Sequence, residues 1–150
     1  MVTTVGNQSR IDDLLENFIL LEHDAIAAYD TVIERLETPE YKQKIAEFKS
    51  DHERHMADLR ALAQKHGADV PIEGDMKGML TTGKVKLADM MGGDGAILRA
   101  MATNESDTVS AYDKGCHNDC IPAEDRALFT KALEDERRHK EWMERTAEAA

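Results

Sequence analysis

The chain of 150 residues predicts an all-α fold: four helices arranged as two hairpins joined by a long crossover. Three observations carry that prediction. Proline (3) and glycine (9) are scarce, while the good helix formers Ala, Leu, Glu, Lys and Met are common. Four segments place apolar residues at alternating spacings of three and four, the pattern of a helix that turns one face to a core. One half of the chain also repeats the other. Residues 22–30 (EHDAIAAYD) align without a gap with 105–113 (ESDTVSAYD), and 51–55 (DHERH) with 135–139 (DERRH). A period this long excludes a solenoid and fits a duplicated helical hairpin. Residues 1–150 are expected to form one domain, since this length supports a single sizeable core.

The first helix is expected over about 9–37, with Ser9 and Asp12 forming a capping-box-like start. Its stripe reads Ile11, Leu15, Phe18, Glu22, Ala25, Tyr29, Val32, Leu36. Thr38 and Pro39 break it and open a second helix over 39–66, with Thr38 at the N-cap and Pro39 in the first turn. So short a turn makes an antiparallel hairpin. The second stripe is Tyr41, Ile45, Phe48, His52, His55, Leu59, Leu62, and Gly67 is the expected stop. The crossover spans 67–93 and is long enough to run the length of the bundle. Lys84 to Met91 is a candidate short helix there, and Met76, Met79, Met90 and Met91 are candidates for packing over the bundle or a partner. The third helix is expected over 94–114 (Leu98, Met101, Glu105, Thr108, Tyr112). The fourth is expected over 122–147, with Pro122 near its start (Phe129, Ala132, Glu136, His139, Met143).

Each stripe is interrupted by groups a core normally excludes: Glu22, His52 with His55, Glu105, and Glu136 with His139. Burying an unpaired charge costs several kcal/mol or forces the group neutral. Polar breaks at one level on four helices therefore need a common partner, and a metal is the simplest. The levels agree. Glu22 lies about 15 residues before the first turn and His52 and His55 about 15 after it, so at ~1.5 Å per residue they meet side by side.

Composition removes other function classes. The net charge is −11, with no basic stripe to neutralise phosphates or to hold an anionic membrane surface. No apolar run is long enough to span a bilayer, and the first ten residues lack the apolar core of a secretion signal. A soluble cytoplasmic protein is expected. Cys116 and Cys120 flank His117 in a CHxxC cluster but lack the second pair of a structural zinc site, so two free thiols are the expected state.

One Glu on each of two helices, with Glu-x-x-His on the others, is the di-metal carboxylate pattern of four-helix bundles. On these residues the sequence resembles the ferritin-like superfamily, which includes bacterioferritin and rubrerythrin, and an uncharacterised stress-related bacterial branch of it in particular. The resemblance spans roughly 9–147 and implies a ferritin-like bundle. It also implies a centre of Glu22, His52, His55, Glu105, Glu136 and His139 holding iron, two ions favoured, with zinc or manganese as alternatives. Tyr29 and Tyr112 match a tyrosine of the family placed just outside its ligands. Asp51 and Asp135 are expected to orient a ligating imidazole or residues of the first and third helices. His52 stands where the family carries a second bridging Glu, which puts in question the second metal position and reactivity towards oxygen. No CxxC pair of a rubredoxin-type domain is present.

Three functions are open at this point. The first is a non-haem di-iron oxidase, either a ferroxidase or a peroxide-detoxifying enzyme, with Glu136 bridging and oxygen or peroxide as co-substrate. The second is a zinc or mononuclear binding bundle without turnover. The third is a metal-free hydrogen-bonded network. Expected partners are metal ions and oxygen or peroxide, with neither nucleic acid nor membrane. A homodimer is expected from the crossover face.

Overall fold

The computed structural model describes residues 3–71 and 92–150, which contain four long helices and no strand. They are α1 (Ile11–Arg35), α2 (Pro39–His66), α3 (Asp94–Cys116) and α4 (Arg126–Ala149). A 3₁₀ turn, Ala123–Asp125, leads into α4. The arrangement is that of a four-helix bundle. The expected Lys84–Met91 helix and the packing of Met76, Met79, Met90 and Met91 lie outside the described residues.

α1 pairs with α2 and α3 with α4, as two hairpins that face each other. The start of α1 lies by the end of α3, where Asn118 Nδ2 donates to the carbonyls of Gly6 and Gln8. At the opposite end Asp94, opening α3, accepts hydrogen bonds from the backbone N–H groups of Glu37 and Thr38, both 2.9 Å long. His66 at the end of α2 meets Asp125 ahead of α4, and Tyr41 at its start meets Trp142 near the end of α4. Facing helices are therefore antiparallel, and α2 ends at the opposite end of the bundle from the start of α3.

Five helix boundaries differ from the sequence expectation, α3 and α4 each running on past the expected end, to Cys116 and Ala149. α1 begins at Ile11, and Arg10 rather than Ser9 is its N-cap, with no side-chain cap bond. The Asn118 bonds hold residues 6–8 against the end of α3, so the chain turns into helix only beyond Ser9. Thr38 is the N-cap of α2 but its hydroxyl does not cap; it donates to Asp94. α1 also ends at Arg35, because Leu36 and Thr38 are extended, as the residue before a proline prefers. Pro122 opens the 3₁₀ turn, and α4 proper starts at Arg126. Gly67 does stop α2, in the left-handed conformation at φ 62°, and its N–H bonds to the Gln64 carbonyl.

The core has two apolar halves. One contains Leu15, Phe18, Leu59, Leu62, Ile121 and Phe129. The other contains Val32, Leu36, Ile45, Phe48, Leu98 and Met143. Each fully buried large side chain contributes roughly 1.5–3 kcal/mol, and these two halves hold the helices in register. Between them lies a polar layer made of the interrupted stripe positions.

Candidate metal centre

All six interrupting residues reach that layer, and all are buried: Glu22, His52, Glu136 and His139 at 0 % exposure, Glu105 at 1 % and His55 at 2 %. Their donor atoms form two overlapping groups. Glu22, His52, His55 and Glu136 make one; His52, Glu105, Glu136 and His139 make the other. Within each group the donor atoms lie within 4.8 Å of one another. His52 and Glu136 are common to both.

Contacts within the layer are short. His52 Nδ1 lies 2.8 Å from Glu22 Oε2, and His52 Nε2 lies 3.5 Å from Glu105 Oε1 and 3.4 Å from Glu136 Oε1. His55 Nδ1 is 3.5 Å from Glu22 Oε1 and 3.3 Å from Glu136 Oε1. His139 Nδ1 is 4.0 Å from Glu105 Oε2 and 3.8 Å from Glu136 Oε2. Five of these inward atoms have no hydrogen-bond partner among the described residues: His52 Nε2, His55 Nδ1, Glu105 Oε2 and both oxygens of Glu136. Buried polar atoms are normally satisfied. A cluster of five aimed at one another fits a cation rather than a network of hydrogen bonds.

The outward sides of the His55 and His139 rings are occupied. Asp135 accepts from His55 Nε2 at 2.9 Å, and Asp51 accepts from His139 Nε2 at 2.8 Å. A carboxylate can only accept here, so each ring carries its proton on Nε2 and turns the Nδ1 lone pair inward. Asp51 and Asp135 orient imidazoles rather than residues of α1 or α3. They are held in turn by arginines. Arg54 donates to Asp51 and Asp135, and Arg138 does the same. Lys131 adds a 2.9 Å bond to Asp135. The arginines were visible in the sequence only as part of the repeated D-x-x-R-H, at 51–55 and 135–139; that repeat was the signal that they serve the two histidines.

The tyrosines cross between hairpins. Tyr112 on α3 donates to Glu22 on α1 at 2.7 Å, and Tyr29 on α1 donates to Glu105 on α3. Each serves the glutamate of the other helix. Phe48 stacks on His139 at 4.2 Å between ring centroids. Trp142 packs edge-on against Phe48 and Tyr41 rather than on the centre.

Electrostatics follow from burial and pairing. Burial pushes the Glu22 carboxyl up, but the facing His52 overcomes this and holds it at about 2. Glu105 is likewise held at about 2, with burial opposed by the adjoining Glu136 carboxyl and by His52. Burial and the Glu105 charge push Glu136 well above the ordinary carboxyl range, so it keeps a proton. Burial would lower His52, but the charge of Glu22, which accepts from its Nδ1, and the adjoining Glu105 raise it to about 10. Burial brings His139 down to about 4, against the pull of Glu105. Without metal, the layer is thus an imidazolium between two carboxylates with one protonated acid beside them.

Cys116 and Cys120 are free thiols, as expected, and belong to neither donor group. Cys116 Sγ lies 3.8 Å from Thr130 Oγ1, Cys120 Sγ lies 3.8 Å from the Gln8 carbonyl, and His117 is bound to the Asp113 carbonyl. No helix among the described residues is long and apolar enough to cross a membrane.

Fold and site together define a helical bundle with buried His/Glu groups able to hold a metal ion. Residues 10–118 match the family described as Domain of unknown function (DUF2383), and the chain belongs to that family. A conserved hypothetical protein, rv2844, from Mycobacterium tuberculosis has a similar structure, with a TM-score of 0.73 at 20 % identity, over 91 % of this chain and 96 % of that one. That likeness concerns the fold. No curated protein matches the chain.

Proposed function

We propose that this protein is a metal-binding bundle of ferritin-like design, and that its centre is a non-haem di-iron oxidase site acting on Fe²⁺ or peroxide. The observation that carries the proposal is the pair of four-residue donor groups sharing His52 and Glu136. Mixed imidazole and carboxylate donors suit iron, with zinc and manganese close behind. Glu22 and His55 would hold one position, Glu105 and His139 the other. Bound iron would supply the electrons that reduce oxygen or peroxide.

The chain's own residues have definable tasks. Asp51 and Asp135 keep the Nδ1 lone pairs of His139 and His55 inward. Tyr29 and Tyr112 hold Glu105 and Glu22 in place by donating to them, and burial keeps both phenols protonated, their pKa raised well above the ordinary value. The two apolar halves exclude bulk water from the layer. The end of α2 and the start of α3 lie at opposite ends of the bundle, which supports a ferritin-like crossover between them.

A zinc-binding bundle without turnover is the second reading. It is favoured by the 3.3–3.5 Å separations between donor atoms of His52, His55, Glu22, Glu105 and Glu136. Tetrahedral zinc with bonds of about 2.0–2.1 Å sets neighbouring donors ~3.3 Å apart. The deciding experiment reconstitutes untagged protein with Fe²⁺ under nitrogen, measures metal by mass spectrometry and then admits air. About two irons per chain and a new absorbance band support the oxidase. Zinc that iron does not displace, or bound metal that is inert to air, supports the binding bundle. No metal under any condition rejects both.

A further inference from the structure

The two residues shared between the donor groups have the same property. Glu136 has two donor atoms aimed at different halves, Oε1 toward His55 Nδ1 at 3.3 Å and Oε2 toward His139 Nδ1 at 3.8 Å. His52, its mate in the repeat, does this with a ring. Its Nδ1 faces Glu22 of one group at 2.8 Å, and its Nε2 faces Glu105 of the other at 3.5 Å. His55 and His139 each give Nε2 to an aspartate outside the layer. Among the described residues His52 has no such outer partner, so both of its nitrogens are left to the centre.

We propose that His52 is a bridging ligand, with one metal ion on each ring nitrogen. Nδ1 joins Glu22 and His55 on the first ion, and Nε2 joins Glu105 and His139 on the second; Glu136 Oε1, 3.3 Å from His55 Nδ1 and 3.4 Å from His52 Nε2, lies between them. The proposal rests on the metal-binding reading above and extends it to the stoichiometry and spacing of the centre.

Charge supports the assignment. Two divalent ions carry four positive charges, and Glu22, Glu105 and Glu136 supply three negative ones. A ring ligated on both nitrogens has lost both N–H protons and supplies the fourth. In a fully buried layer an unbalanced charge is costly, and among the described residues the two carboxylates next to the layer are already engaged. Asp51 and Asp135 are each paired with Arg54 and Arg138. Protons balance as well: each metal–nitrogen bond on His52 displaces one ring proton to solvent, and the bond to Glu136 displaces its carboxyl proton.

An imidazole bridge with bonds of about 2.0–2.1 Å on both nitrogens sets the ions roughly 6 Å apart. Sites held by carboxylates keep two metals about 3.5–4 Å apart. The wider pair is too far apart for one oxygen atom to join both ions.

The test is anomalous diffraction at the zinc edge from crystals of the full chain loaded with Zn²⁺, together with zinc content of the same preparation in solution. Two zincs about 6 Å apart on either side of the His52 ring are expected. Two ions about 3.5–4 Å apart, or a single ion on Nε2 with Nδ1 still donating to Glu22, would overturn the bridge and leave the metal-binding function standing. Zinc absent from both crystal and solution would overturn the bridge and the metal-binding reading together.

Discussion

Asp135 of α4 accepts a 2.9 Å hydrogen bond from His55 Nε2 of α2, and Asp51 of α2 returns the same bond to His139 of α4. The reciprocity comes from the repeated D-x-x-R-H segments, one on each helix. Because α2 and α4 run antiparallel, each aspartate lies at the level of the other helix's histidine. Fixing the proton on Nε2 makes Nδ1 the inward donor, so affinity should depend on the aspartates. Asp51→Asn and Asp135→Asn replace a charged acceptor with a weaker neutral one. Each should weaken Zn²⁺ binding about 10–100-fold, read by competition with a chromophoric chelator. Fold should persist, with far-ultraviolet circular dichroism unchanged.

Tyr29 tests the crossed hydroxyl–carboxylate pairs. Its hydroxyl donates to Glu105, and both groups are buried. Tyr29→Phe leaves the Glu105 oxygen without that donor while filling nearly the same volume. The expected loss is about 1–3 kcal/mol in urea unfolding of the metal-free protein. Tyr112→Phe should cost a similar amount through Glu22. Metal should recover part of either loss, because a cation then satisfies the carboxylate.

Much of the fold and site was legible in the sequence because each rests on periodicity. Every interrupted stripe position from Glu22 to His139 is buried, and Glu22 meets His52 and His55 as the turn arithmetic expected. Less legible were features decided by side chains of distant segments. Ser9 and Thr38 have good cap chemistry, but Asn118 and Asp94 reach them or their neighbours from α3 and beyond, and tertiary bonds override the local preference. The same applies to Arg54 and Arg138. Charged residues on an outer helix face usually signal solvation, and only the approach of α2 to α4 turns them into clamps on Asp51 and Asp135.

Stability of the metal-free protein should depend on pH at both ends. Glu22 and Glu105 fall from an ordinary 4.5 to about 2 on folding, so their contribution is complete above 4.5 and is lost as pH falls through about 2. His139 falls from 6.5 to about 4, so the unfolded chain binds a proton that the folded one refuses, and stability declines as pH drops from 6.5 towards 4. His52 rises from 6.5 to about 10, so its contribution is full below 6.5 and is lost as pH climbs through about 10. Thermal melts in chelator should give a maximum near pH 6–7. Saturating metal should remove the alkaline decline, since no proton on His52 is then required. A melting temperature that is flat from pH 7 to 10 in chelator would contradict the imidazolium assignment.

Metal loading should release protons in a countable number. The metal-free layer holds protons on both nitrogens of His52 and on Glu136. A bridging His52 gives up about three protons in all when two ions bind near pH 7, and a His52 that ligates through Nε2 alone gives up about two. Calorimetry of Zn²⁺ binding in buffers of different ionisation enthalpy reads this number directly. It needs no crystal and is independent of redox chemistry.

Replacing His52 by glutamate asks what the histidine changes. The substitution His52→Glu puts a carboxylate opposite Glu136, its mate in the repeat, and completes a set of four carboxylates and two imidazoles around the layer. Four negative charges then face two divalent ions without a doubly deprotonated ring. Metal should bind more tightly than in the wild type, and the ions should draw in to about 3.5–4 Å. Without metal the balance reverses. The variant removes the one cation of the layer and adds a fourth acid, so repulsion among Glu22, Glu105, Glu136 and the new carboxylate should lower the melting temperature in chelator. His52→Ala should instead weaken both metal positions, since each loses a ring nitrogen and keeps only its glutamates and one histidine. Metal content per chain, measured for the three proteins at equal free Zn²⁺, should rank glutamate above histidine above alanine. Equal content in all three would show that His52 is not a ligand.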